Sequence, residues 1–177
     1  MFETDAELAE MQTLLETSLS RSSTHLRSII RAGERTLTAE QLVRVAAGMC
    51  TLALATVTAK AEPRISGADG HLLHGRWVIG TDRRAAKARQ LAARSGVSVA
   101  YLRGEELGVF THGRAVELNP TNDDDDPAWP AVLDYMTGHY GESPLAWGDI
   151  VFYRIEPGWM VAYSVDPTRL LAGAAGA

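Results

Sequence analysis

The feature that most constrains this chain is a change of hydrophobic period near Thr51. Before it, apolar residues recur at helical spacing; after it, short Val/Thr-rich runs follow one another across tight turns. Runs are expected at 51–57, 64–68, 71–74, 77–80, 97–102, 107–118, 150–155 and 159–165. Turns fall at Lys60-Ala61-Glu62-Pro63, Gly75, Gly104-Glu105 and Glu156-Pro157-Gly158, each closing a hairpin of neighbouring runs. A helix over 83–94, with Ala85, Ala88, Leu91 and Ala92 on one face, interrupts the series once, and a second is expected over 129–140. Strands in succession with tight turns predict an antiparallel barrel with peripheral helices, mainly β, rather than a βαβ sheet.

The N-terminal third reads as a helical extension, residues 1–37, preceding a barrel domain at 38–177. Thr4-Asp5-Ala6-Glu7 and Thr38-Ala39-Glu40-Gln41 both place a hydroxyl three residues before a Glu or Gln, the pattern of a capping box. Leu8, Met11, Leu15 and Leu19 share one helical face, Ser20–Ser23 interrupts it, and Leu26, Ile29 and Ile30 suit a short second helix ending at Gly33. Such an extension serves as a lid, a dimer arm or a cover for the core.

Composition narrows the function. With 17 Lys+Arg against 22 Asp+Glu the formal charge is −5, which gives no basic footprint for nucleic acid. No apolar run approaches the roughly 20 residues of a membrane span. The acidic first residues are unlike a basic leader, and Cys50 stands alone, so a reducing cytoplasm is the expected setting.

The residues with most chemical content lie between Pro63 and Leu91. Arg64 and Ser66, two apart on a strand, point to one face. The run ending at Gly80 passes through Thr81-Asp82 into a helix expected to begin near Arg83. Helix starts expose unpaired N–H groups and attract anions. Thr81, Arg83, Arg84 and Lys87 add a hydroxyl and cations, while Asp82 opposes an anion unless it faces aside. The same residues also suit an ordinary basic helix surface. His71 and His74 do not share a strand face, and no metal-ligand spacing occurs. His112 before Gly113 lines a pocket or is a hydrogen-bonded structural histidine. Asp123–Asp126 reads as a solvated loop without the alternation of a calcium site.

Leu52-Ala53-Leu54-Ala55-Thr56-Val57 with Glu62-Pro63-Arg64-Ile65-Ser66 resembles the opening hairpin of the pyridoxamine 5′-phosphate oxidase-like family. The resemblance continues through Trp77–Thr81, Lys87–Leu91, Val97–Val99 and His112–Ala115, and loosely to Trp159-Met160, covering roughly 38–165. It implies an antiparallel split β-barrel of the FMN-binding type, dimeric, with flavin mononucleotide (FMN) or a deazaflavin coenzyme at the subunit interface. Its phosphate-binding roles fall on Arg64, Thr81 and Lys87, with Ile65, Ser66 and Gly80 lining the pocket and Arg84 as a second cation. Trp159 matches an aromatic residue approaching the ring system from the partner chain.

The arginine-and-histidine signature of the vitamin oxidase is missing near the C-terminus, so pyridoxamine phosphate is not the implied substrate. The resemblance therefore implies an FMN-dependent oxidoreductase acting on a small molecule, with no acid or base singled out. A deazaflavin reductase is the rival on the same fold, with Arg83, Arg84, Arg89 and Arg94 as a longer basic run. Two further readings fit the residues: a non-enzymatic flavin or haem binder using His71, His74 or His112, and a barrel that only mediates assembly.

Overall fold

A computed structural model describes residues 2–121 and 124–174. Its helices are α1 (Asp5–Ser20), α2 (Thr24–Ile29), α3 (Ala39–Val45), α4 (Ala86–Ala93), α5 (Trp129–Tyr140) and α6 (Pro167–Ala174). Its strands are β1 (Met49–Val57), β2 (Pro63–Leu73), β3 (Arg76–Asp82), β4 (Gly96–Arg103), β5 (Leu107–Glu117) and β6 (Ile150–Ser164). All strand pairings are antiparallel, and the order β1-β2-β3-β6-β5-β4 closes on itself as a barrel.

Strand alternation sets which residues enter the barrel. On β1, Cys50, Leu52, Leu54 and Thr56 point inward and are buried, while Met49, Thr51 and Ala53 face out. Trp77 and Ile79 from β3, Val97 and Val99 from β4, and Ile155 and Met160 from β6 complete the interior. The helices cover this barrel in patches. Both expected capping boxes are present, with Thr4 and Glu7 opening α1 and Thr38 and Gln41 opening α3. Leu8, Met11 and Leu15 of α1 join the interior cluster, and Ser18 ties α1 to β6 by accepting from the Met160 amide at 3.0 Å. Against the outer face, α5 packs Trp129, Val132 and Met136 on Val78 and Phe152.

Three boundaries differ from the sequence expectation. The final hairpin does not form: 150–164 is one strand, of which residues 150–155 pair with β3 and 153–164 with β5. Glu156-Pro157-Gly158 makes a register shift instead of a turn, opposite His112 and Gly113. There a Cβ on Gly113 would sit 2.1 Å from the Glu156 carbonyl oxygen, so only glycine allows the close approach. Similarly, 63–73 is one strand rather than two, with Gly70 packed against Leu52 at the point where the runs join. The third difference, the start of α4, belongs to the site. Of the aspartate run, Asp123 lies outside the described residues; Asp126 is not a solvated tip, because Arg154 binds it through two nitrogens at 3.0 and 3.2 Å.

Candidate cofactor site

The barrel has a gap where β2 and β3 part. They pair only from Gly70↔Ile79 to Leu73↔Arg76. Residues 63–69 of β2 then pair with β1 alone, while Thr81 and Asp82 continue along β6. Helix α4 spans the gap: the Lys87 ammonium donates to the Gly67 carbonyl, and the Thr56 hydroxyl meets Gln90 Oε1 at 2.5 Å. A strand edge without a neighbour leaves its backbone groups in need of partners, and a side chain from α4 supplies one. A Cβ built on Gly67 would have no atom within 4 Å, because it points to the open outer face shared with Ile65.

Most of the expected site residues flank this gap. Arg64 and Ser66 do share a face; Arg64 is exposed and paired with Glu62 at 2.7 Å. The Ser66 hydroxyl is buried and has no hydrogen-bond partner. Ile65 points the other way, onto the open outer surface. Gly80 and Thr81 lie just before the end of β3 at Asp82, and a Cβ on Gly80 would press to 2.8 Å on the Phe152 ring.

Helix α4 begins at Ala86, three residues later than the spacing suggested, and Ala85 at its N-cap offers no side-chain acceptor. Its start is displaced because both arginines are drawn into other contacts. Arg83 pairs with Glu117, lies 3.2 Å from Asp149, and donates to the Asn119 carbonyl at 2.8 Å. Asp82 takes the Arg84 amide at 2.7 Å and its guanidinium at 2.9 and 3.1 Å. Those hydrogen bonds from Arg84 hold the Asp82 carboxyl down at about 2. Asp82 therefore faces its own arginine. Lys87 remains directed at the gap, its pKa lowered by burial against the opposing charge of Asp69.

A phosphate suits this donor set: an unpartnered buried hydroxyl, an ammonium, and the uncapped amides of α4. Trp159 is not part of the group within one chain. It stacks on His112 at 4.7 Å, and its indole N–H donates to the Ser18 carbonyl at 3.2 Å. Of the three histidines considered for haem, His71 has both ring nitrogens bound by Tyr135 and Tyr140, each at 3.0 Å. His74 is held by Glu7 at 3.0 Å. His112 uses Nδ1 on Ser98 at 2.8 Å and leaves Nε2 without a partner among the described residues. No group of three or more potential metal ligands occurs among the described residues. Sequence reasoning missed the Tyr135–His71–Tyr140 cluster, because alternation alone could place only His71 on its strand.

No protein-family model and no curated protein matches the sequence. Solved structures do resemble the fold. The haem storage protein HutZ from Vibrio cholerae is 20% identical, with a TM-score of 0.57 over 73% of this chain and 95% of its own. A protein of unknown function from Agrobacterium tumefaciens is 18% identical, with a TM-score of 0.55 over 74% of this chain; the chain spans 60% of that protein's length. An F420 reductase is 16% identical, with a TM-score of 0.51 over 66% of this chain and 92% of its own. A haem storage protein and an F420 reductase thus share one architecture with this chain, and that architecture is the split β-barrel.

Proposed function

We propose that this protein is an FMN-dependent oxidoreductase acting on a small molecule, with the cofactor phosphate in the gap between β2 and β3. The observation that carries the reading is the Lys87 ammonium held on the Gly67 carbonyl, one residue along from the buried, unpartnered Ser66 hydroxyl, on a helix whose start is uncapped. Ser66, Thr81, Lys87 and Arg64 would hold the phosphate, with Gly80 lining the cradle, while the outward Ile65 side chain lies outside it. When bound, FMN supplies hydride chemistry at its central ring, and the protein supplies binding and orientation. Arg64 would exchange Glu62 for the phosphate, an exposed pair that is readily given up.

A homodimer with the cofactor at its interface belongs to the same proposal. The outer face of β1, β2 and β4 leaves Ile65 at 77%, Leu102 at 53% and Met49 at 46% exposed, with Ala53 and Ala100 paired between them. This low, apolar surface suits a second copy. Trp159 would then approach the cofactor from the partner.

Arg83 and Arg84 are already matched by acids, which favours a single phosphate over a longer polyanionic deazaflavin tail. The two engaged nitrogens of His71 likewise count against haem there, leaving His74 and His112, each bonded through Nδ1 alone among the described residues, as the histidines to test. The decisive experiment is the visible spectrum of the purified protein before and after adding FMN. Flavin bands retained through gel filtration at about one per chain support the reading. A colourless protein that ignores FMN overturns it, and a Soret band would move the assignment to haem.

A further inference from the structure

A cavity of about 180 Å³ lies under α5 on the outer face of the barrel, beside Gly80 and Thr81. Tyr140, Trp147 and Phe152 give it aromatic walls, and Asp69 is the acidic group among its lining residues. Tyr140 and Trp147 meet edge to face at 4.9 Å. Apolar cavities of about 150 Å³ take up benzene, so this space is sized for one six-membered ring.

Hydrogen bonds define the polar side. Tyr140 touches His71 Nε2, and Nδ1 of the same ring reaches Tyr135, both at 3.0 Å. Burial, with the charge of His139 adding to it, pushes His71 down to about 4, so the ring is neutral and has one donor and one acceptor nitrogen. With its proton on Nε2, His71 donates to the Tyr140 oxygen and accepts from the Tyr135 hydroxyl. The Tyr140 O–H is then released to donate into the cavity. With the proton on Nδ1, Tyr140 turns to donate to His71. One tyrosine is thus a switchable donor on a cavity wall. The charge of Lys87 beside Asp69 disfavours a cationic ligand.

We propose that this cavity binds a single aromatic ring carrying a hydroxyl, whose O–H donates to Asp69 and whose oxygen accepts from Tyr140. Any link between this cavity and the cofactor rests on the flavin reading, because Gly80 and Thr81 belong to both sites; the binding itself does not.

The test is a ¹⁹F NMR titration of the full-length protein with 4-fluorophenol, with fluorobenzene as comparator, each with and without FMN. The expected result is saturable binding of 4-fluorophenol, at least about fivefold tighter than fluorobenzene, weakened about tenfold by Tyr140→Phe. Trp147→Ala, at an exposed position, weakens both probes and guards against a folding artefact. Absence of saturable binding, equal affinity for the two probes, or indifference to both substitutions overturns the proposal. Displacement of 4-fluorophenol by FMN also overturns it, since the cavity would then belong to the cofactor. Binding of 4-fluorophenol by a protein that ignores FMN leaves the ring site standing and removes the flavin reading.

Discussion

Lys87 donates its ammonium to the carbonyl of Gly67 across the gap where β2 leaves β3. The side chain is held in place by the barrel's own backbone before any anion arrives. Pre-placed donors bind with less loss of side-chain freedom, so a small number of them can fix a phosphate.

Lys87→Ala should weaken FMN binding by about 1.5–3 kcal/mol, the range for a hydrogen bond to a charged group. Flavin fluorescence titration would read this as a Kd raised roughly tenfold to a hundredfold. An unchanged Kd would take Lys87 out of the site.

Gly67→Ala should be silent. Its Cβ meets no atom, so the melting temperature should stay within the shift expected of about 0.5 kcal/mol. FMN affinity should hold as well, because the new methyl group points outward on the face of Ile65 while Lys87 binds the backbone carbonyl. Gly113→Ala should behave oppositely, destabilising by about 1–3 kcal/mol because the obstruction is the Glu156 backbone. Thermal melts of the two variants side by side would decide this.

How much of this was legible in the sequence depends on how far apart the partners lie. The caps at Thr4 and Thr38 were legible because each involves residues three apart. The barrel class followed from alternation and turn residues. Glu156-Pro157-Gly158 misled because it has turn chemistry, yet β5 runs alongside and holds both flanks in one strand. The start of α4 was misplaced because Glu117 and Asp149, which capture Arg83, lie 34 and 66 residues away. At separations of 64 and 69 residues, the tyrosines around His71 leave no local signal at all.

His71 makes stability depend on pH. Its folded pKa of about 4 lies below the usual value of 6.5, owing to burial and then to His139, with Asp69 opposing. A histidine held neutral stabilises fully above pH 6.5, and the contribution is lost as pH falls from there towards 4. The loss amounts to about 3 kcal/mol. Urea midpoints measured from pH 7 to 4 should drop in the wild type, whereas His71→Gln should start lower and change less across that window.

At more acid pH a second group responds. Burial raises the Asp126 carboxyl, but the Ala128 amide and Arg154 outweigh it and hold it below 3.8. Its stabilisation is present above that value and disappears as pH falls through the lowered pKa. Arg154→Met should remove the pair, destabilise the fold by about 1–3 kcal/mol at neutral pH, and flatten the acid limb below pH 4. Chemical denaturation at pH 7 and pH 3 would measure both effects.

The continuous strand β6 also bears on the order of assembly. Both β3 and β5 take it as a neighbour, so the sheet stays open until it is in place. On a ribosome, α1 would emerge early and wait for a docking surface that includes Met160 and Trp159, made more than a hundred residues later. Closure would be a late event governed by distant contacts, which makes it slow. Until then the apolar face of α1, with Leu8, Met11 and Leu15, lacks the core it packs into.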